Sequence, residues 1–359
     1  MVGIRRLADL PMYVITCVFL LLGSLTHIAH NAHATPPASE VSAQAFEDIF
    51  TPRQPIPYSI LGCNAFVNDA RFGSIRSQFR ELRSSLGIKR VRVLFAWNDQ
   101  VQPSPSSKPN FGFYDQIVNS LPTDTEALVI MTGVPSWMKD SRNWIAGNPR
   151  TTFIELWAKK VAARYAKKSR VRAFQIWNEP NNPSFGENVT LDVLTKPENY
   201  VELLALGYSA IKAVAPRKLV VNGATTAIAQ NFPATLDYNK SMVTAGALSF
   251  VDVYAIHFYG KSIERVLLPG GVADFVKSIP KPVWVTETGA QGINKQLDYA
   301  QRIFAFLKKQ MPGIARIYIY QFTESSPASS TYGLRNLTPG LSVSDLYINL
   351  RDRPKAATR

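Results

Sequence analysis

The sequence predicts a (β/α)8 barrel, an α/β fold in a single domain. Three observations carry that expectation. Eight short runs are mostly apolar, each is followed by a helical or loop segment, and the eight units fill about 300 residues, within the span of such a barrel. Runs with no polar alternation suit strands buried on both faces, as in a parallel sheet. A doubly wound open sheet is the alternative. It normally carries a glycine-rich turn after its first strand, and Gly62-Cys63-Asn64-Ala65 is not one.

The elements follow in order. Tyr58–Gly62 is expected as the first strand, and Gly73–Leu86 as a helix closed by Gly87. Val91–Trp97 is a strand and Phe113–Leu121 a short helix. Ala127–Thr132 is a strand, followed by the Ala-, Lys- and Arg-rich helix Thr152–Ala166. Val171–Trp177 is a strand, and Glu198–Val214 a helix that stops at Ala215-Pro216. Leu219–Asn222 is a strand, after which a loosely patterned stretch runs to about Ala247. Phe250–His257 is a strand, and Ile263–Ser278 a helix interrupted by Pro269-Gly270-Gly271. Pro282–Thr286, helix Asp298–Gln310, strand Ile314–Phe322 and helix Ser342–Arg351 complete the chain.

Ahead of this domain, Arg5 and Arg6 precede the apolar run Met12–Gly23, and small residues flank His33 at Ala32 and Ala34. That order is a secretory leader with cleavage after Ala34. The run is short for a spanning helix, and an uncleaved membrane anchor is the alternative. The proline-bearing residues 35–55 are expected as a linker, 56–352 as the catalytic domain and 353–359 as a tail. The protein is therefore expected to be exported, periplasmic or secreted, and without stable membrane insertion once the leader is removed.

Composition narrows the chemistry. With 46% hydrophobic and 18% charged residues in 359, the chain is neither disordered nor fibrous. It has four histidines, of which His27, His30 and His33 lie in the leader, so the remainder keeps His257 alone. Cys17 also lies in the leader, which leaves Cys63. A multi-histidine metal site and a disulfide framework are thereby excluded, and no metal or cofactor is expected. Catalysis falls to carboxylates, aromatics and amides. Forty Lys and Arg against 26 Asp and Glu give a net charge of +14. Such an excess suits a polyanionic partner or simply a solvated basic surface.

In a (β/α)8 barrel, functional groups sit at the carboxyl ends of the strands. Two of the apolar runs stop at a glutamate there. The fourth ends Trp177-Asn178-Glu179-Pro180-Asn181 and the seventh Thr286-Glu287-Thr288-Gly289. A carboxylate that closes a buried strand is costly unless paired or solvated, so a structural ion pair with an arginine is the alternative for either one alone. Three repeats apart, the two face each other across the barrel mouth. Two facing carboxylates are what glycoside hydrolysis requires: one protonates the leaving oxygen, and the other attacks the sugar or activates water.

The flanking residues resemble a known group. Trp177-Asn178-Glu179-Pro180-Asn181 resembles the acid/base motif, and Thr286-Glu287-Thr288-Gly289 the nucleophile motif, of the retaining clan A glycoside hydrolases. Val91–Trp97 resembles their second strand, with Arg92 in the arginine position. Gly133-Val134-Pro135-Ser136-Trp137 resembles the end of strand 3, and Tyr332-Gly333-Leu334 with Arg353-Pro354-Lys355 the segment after strand 8. Within the clan the sequence looks nearest to family 39 and to PslG-type exopolysaccharide endoglycosidases, with family 5 next.

The resemblance implies Glu179 as acid/base and Glu287 as nucleophile. It implies Asn178 at the sugar 2-hydroxyl, Arg92 orienting the nucleophile, and His257 and Tyr259 as the strand-6 pair. Strand 8 offers Tyr318, Tyr320 and Phe322 where the clan often has a tryptophan, so Tyr320 is a candidate for the sugar subsite. Trp97, Trp137 and Trp177, near strand ends, are candidate sugar platforms. Trp284 is offset by an odd number from Glu287 and is expected to face the helices. Glu324, in a serine-rich loop, is expected to be a solvated acid.

The function expected is retaining hydrolysis of a poly- or oligosaccharide, an exopolysaccharide or surface glycan, by a monomer. An acidic glycan is one reading of the charge; a nucleic-acid partner has no motif to support it. A non-catalytic carbohydrate-binding or polysaccharide-assembly protein, or a transglycosylase on the same fold, are the alternatives.

Overall fold

The computed structural model describes residues 49–338 and 340–353. The expected leader, most of the expected linker and the tail beyond Arg353 lie outside the described residues. Eight strands run β1 Leu61–Asn64, β2 Arg90–Ala96, β3 Glu126–Thr132, β4 Val171–Ile176, β5 Leu219–Asn222, β6 Tyr254–His257, β7 Val283–Thr288 and β8 Ile314–Ile319. They pair in parallel in the order β5-β4-β3-β2-β1-β8-β7-β6. A bridge between Val221 and Val253 joins the two ends and closes the barrel. The expected (β/α)8 barrel is the fold found.

Strand alternation sorts the core into two layers. Val91, Val93 and Phe95 point outward into the layer shared with the helices. Leu128, Ala173, Val221, Ala255, Trp284 and Tyr318 point inward and fill the barrel. Trp284 therefore lies inside the barrel and not against the helices. The parity argument from Glu287 fails because the pairing register of β7 with β8 shifts between Val285 and Thr288.

Several boundaries move for local reasons. The first strand begins only at Leu61, where it pairs with Ile317, because Tyr58–Ile60 form a 3-10 turn after Pro57. The sixth begins at Tyr254. Ala247–Phe250 form another 3-10 turn, and Asp252 turns away to accept from Val220 N (2.8 Å) and Lys212 Nζ (2.7 Å). The loosely patterned stretch after β5 holds the helix Ala234–Thr244. Its apolar period is weak because polar residues on its buried face are satisfied: Asn239 donates to Thr225 Oγ1 and accepts from the Tyr254 hydroxyl.

Residues at the start of the described chain are held on the barrel. Arg302 Nη1 donates to Thr51 O, and Gln54 N donates to Gln301 O. At the other end, Arg353 stacks 4.1 Å over the Tyr58 ring and donates to Leu86 O. No helix among the described residues is long and apolar enough to cross a membrane.

Candidate active site

The site grows from a belt of polar side chains laid across the inside of the barrel. Asn64 on β1 donates to Thr286 O (3.0 Å) and Ile319 O (3.3 Å), which ties β1 to β7 and β8. Gln175 on β4 donates to Asn222 O, and Asn222 on β5 donates to Ala255 O on β6. Arg92 on β2 sits at the centre, fully buried. Its guanidinium donates to Gln175 Oε1 (2.7 Å), Asn64 Oδ1 (2.8 Å), Asn178 Oδ1 (2.8 Å) and Glu287 Oε1 (2.6 Å). Four acceptors in four directions use the planar fork in a way a lysine cannot.

Glu287, at the end of β7, is 3% exposed. Its Oε1 faces Arg92, and its Oε2 accepts from the Tyr259 hydroxyl at 3.0 Å. Burial alone would raise its carboxyl, but the His257 and Arg92 charges and the two donated bonds outweigh burial and hold it below the usual carboxylate range. Tyr259 moves the other way. Burial, then the Glu287 charge, pushes its hydroxyl well up, so it remains a donor.

Glu179 follows β4 after a sharp change of backbone direction. Trp177 and Glu179 both have positive φ, 72° and 42°. That turn breaks the alternation of the strand. It sends the Trp177 ring outward, and it brings Asn178 and Glu179 over the mouth. Asn188 locks the turn by accepting from Trp177 Nε1 (2.7 Å) and donating to Glu179 O (2.8 Å). Glu179 Oε2 accepts from Asn182 Nδ2 at 2.7 Å, and its Oε1 lies 3.1 Å from His257 Nδ1. His257 Nε2 lies 3.5 Å from Glu287 Oε1, so one buried imidazole bridges the two carboxylates.

Oxygen atoms of Glu179 and Glu287 and a nitrogen of His257 all lie within 4.8 Å of one another. Such a trio could hold a cation, but Arg92 already places one positive charge on Glu287 Oε1. A metal ion would sit against it, so the donor set suits protons better.

Of the residues expected at the site, Glu179, Glu287, Asn178, Arg92, His257 and Tyr259 are brought together. Tyr320 joins them through aromatic contacts with Tyr259 (6.2 Å) and Tyr332 (5.7 Å). Two of the candidate sugar platforms are corrected. Trp97 has the same outward parity as Val93 and Phe95. It is fully buried, packs on Trp157 and Phe153 and donates to Gln102 Oε1. Trp177, turned outward by its positive φ, packs edge-on against Phe153. Trp137 is half-buried, with its indole donating to Gln102 O. Glu324 is not a solvated loop acid. Its Oε2 accepts from Thr331 Oγ1 and from the backbone N–H groups of Tyr332 and Gly333, which fixes the loop that carries Tyr332.

Asn64, Gln175, Asn182, Asn188 and Tyr332 join the site without being candidates from the sequence. A signal existed for two of them. Asn64 and Gln175 are amides inside or closing apolar strand runs, where an unpaired polar group is costly.

A (β/α)8 barrel with glutamates closing β4 and β7 is the architecture of clan A glycoside hydrolases. The family model for cellulase (glycosyl hydrolase family 5) matches residues 56–320, and the chain belongs to that family. Solved structures of similar fold include a family 39 glycoside hydrolase from Bacteroides cellulosilyticus WH2, with TM-score 0.59 and 19% identity over 84% of this chain and 64% of that one. A GH39 enzyme from Xanthomonas axonopodis pv. citri has TM-score 0.58 and 18% identity over 84% and 67%. A GH39 β-xylosidase from Caulobacter crescentus has TM-score 0.58 and 17% identity over 84% and 72%. The chain thus spans about two thirds of the length of these structures, and at such identities the likeness is one of fold. No curated protein matches the chain by sequence.

Proposed function

We propose that the protein hydrolyses glycosidic bonds by double displacement with retention, Glu287 acting as nucleophile and Glu179 as acid/base. The observation that carries this reading is the pair of carboxylates with oxygens within 4.8 Å, bridged by His257. Retaining enzymes hold their carboxyl groups about 5–5.5 Å apart, and inverting enzymes need about 6.5–9.5 Å to admit a water.

The environments divide the labour. Glu287 is ionised by Arg92 and Tyr259, and its Oε2, which carries only the Tyr259 bond, is the oxygen left for attack on the anomeric carbon. Glu179 gives its proton to the leaving oxygen, then takes one from the water that releases the sugar from Glu287. Asn178 accepts from Arg92 through Oδ1, which leaves its Nδ2 to donate to the sugar 2-hydroxyl. Tyr259, Tyr320 and Tyr332 form an aromatic wall beside Glu287.

Four cations around the mouth are matched to acids, Arg71 to Asp69, Arg142 to Asp140, Lys196 to Asp192 and Arg265 to Glu264, while the exposed Lys108, Lys139 and Lys295 make no ion pair among the described residues. The mouth thus keeps a small unpaired basic excess, and neutral and acidic poly- or oligosaccharides both fit it. The order of the N-terminal residues supports export, and with it an exopolysaccharide or cell-surface glycan as the target. The test is proton NMR of the first product formed from a panel of neutral and acidic polysaccharides. The retained anomer is expected first; prompt appearance of the inverted anomer would overturn the mechanism.

A further inference from the structure

The basic excess has a location. Lys167, Lys168, Arg170 and Arg172 surround the start of β4, and Arg217 and Lys218 immediately precede β5, its neighbour in the sheet. Strand direction puts these residues at the amino end of the barrel, the face opposite the mouth. Arg172 stands at the start of β4 and Glu179 beyond its end, so the strand separates the cluster from the catalytic carboxylates.

No carboxylate neutralises this cluster. Lys167, Lys168, Arg170, Arg172 and Arg217 make no ion pair among the described residues. The acids that border them are already engaged: Asp115 with Arg164, Asp252 with Lys212 and Glu126 with Arg316. Lys168 and Arg170 reach only neutral oxygens, Asn119 Oδ1 and Leu121 O. Lys218 is buried beneath the others, with its ammonium donating to Lys168 O (2.7 Å) and Val171 O (2.6 Å). Burial, then the Arg172 and Arg217 charges, pull its proton affinity down. Like charges are thus gathered here against their mutual repulsion, whereas the unpaired lysines of the mouth, Lys108, Lys139 and Lys295, stand on three separate loops.

The chemistry of the face indicates what it meets. Lys167, Lys168, Arg172 and Arg217 are exposed. The exposed large apolar side chains (Ile49, Phe50, Phe113, Ile145, Val189, Leu341 and Ile348) belong to other segments. A rim of loops with cations and no exposed aromatic lacks the stacking platforms that hold a sugar chain or single-stranded nucleic acid. It also lacks an apolar wedge for insertion. It suits a diffuse, extended negative surface.

We propose that the amino-terminal face of the barrel docks peripherally on an anionic phospholipid bilayer through Lys167, Lys168, Arg170, Arg172 and Arg217, with the mouth turned away from the membrane. Each such cation near an anionic leaflet strengthens binding by about fivefold, and the effect fades within a Debye length.

The experiment is co-sedimentation of the full chain with vesicles of phosphatidylcholine alone or mixed with phosphatidylglycerol. Phosphatidylglycerol should strengthen binding, and added salt should remove the gain. Any attachment through the apolar Met12–Gly23 run is independent of lipid charge and appears equally with both vesicles. The triple variant Lys167→Glu, Arg172→Glu, Arg217→Glu should lose about a hundredfold of the charge-dependent binding. Its melting temperature and its hydrolysis of a soluble glycan should match the wild type. A charge-matched control at exposed lysines that follow β2, β3 and β7 and so lie on the opposite face, Lys108→Glu, Lys139→Glu, Lys295→Glu, should keep most of the binding. Equal loss in the control, indifference to phosphatidylglycerol, or capture by polygalacturonate or DNA with none by the vesicles would each overturn the proposal.

Discussion

Asn182 donates its amide Nδ2 to Glu179 Oε2 at 2.7 Å, and its own Oδ1 is held by Ser184 N at 2.9 Å. The second bond fixes which way the amide points, so Asn182 can only donate to the carboxylate. With His257 on Oε1, both oxygens of Glu179 are located, and the proton it delivers has one direction in which to leave. Asn182→Ala removes one of the two anchors. We expect kcat for glycosides with poor leaving groups to fall about tenfold or more, because they depend on proton transfer. Activated aryl glycosides should be nearly unaffected. Equal losses on both substrate types would show a merely structural role.

Glu287 has a harsher requirement. Glu287→Ala removes the nucleophile and should reduce turnover by several orders of magnitude. Azide should restore part of it, yielding the glycosyl azide of inverted configuration, since the small anion occupies the space of the lost carboxylate. Normal activity in this variant would reject the assignment.

The ionisation of Glu287 can be tested through Arg92. In Arg92→Lys a point charge replaces a fork that serves four acceptors, and the 2.6 Å bond to Glu287 is lost or lengthened. The carboxyl, now held below the usual range, should move up. Glu287 must be ionised to attack, so the acidic limb of kcat/KM against pH should shift to higher pH, by about one unit for each 1.4 kcal/mol of lost interaction. The sign for stability is the same. A carboxyl depressed in the folded state stabilises it above the unfolded pKa, and that stabilisation is lost as pH falls through the folded value. Arg92→Lys should therefore show a smaller acid-side loss of melting temperature than the wild type, from a lower starting point. An unmoved limb would mean that His257 and Tyr259 suffice.

The salt dependence separates the two faces. Because the substrate carries no charge to be screened, hydrolysis of a soluble neutral glycan should vary little between low and high ionic strength. A steep fall on an acidic polymer, together with preference for it over a neutral one, would identify an acidic substrate.

The sequence made the barrel legible because its strands are buried on both faces and therefore read as apolar runs with few interruptions. Glu179 and Glu287 were legible because a carboxylate that ends such a run has no bland explanation when a second one faces it. What failed was inference from position along a strand, nearness to its end for Trp177 and parity for Trp284. Trp177 and Trp284 could not be placed by counting, since the positive φ at Trp177 and the register shift in β7 each turn a side chain through the sheet. Asn182 and Asn188 were hidden for a different reason. Their partners are atoms of Glu179 and Trp177 held by a turn, and a loop asparagine carries no period to betray that. The helix Ala234–Thr244 was missed because satisfied polar groups replace its apolar stripe.

The inside of the barrel gives a last test that is independent of chemistry. A Cβ on Gly62 would lie 2.5 Å and 2.6 Å from two atoms of the Tyr318 ring and 3.1 Å from Arg90 O. Tyr318 is fully buried among Trp284 and its inward-facing neighbours, so the ring has no space into which to retreat. Gly62 is thus required by the bulk across from it and not by its backbone angles. Gly62→Ala should cost about 1–3 kcal/mol of stability, the usual range for overpacking a filled core, measured by denaturant unfolding. Tyr318→Leu should cost stability alone by leaving a cavity, yet in combination with Gly62→Ala it should return part of the loss, because the methyl group then occupies space the ring has vacated. Strict additivity of the two substitutions would show that the ring moves aside at no cost, and that β1 and β8 are not held in register by this contact.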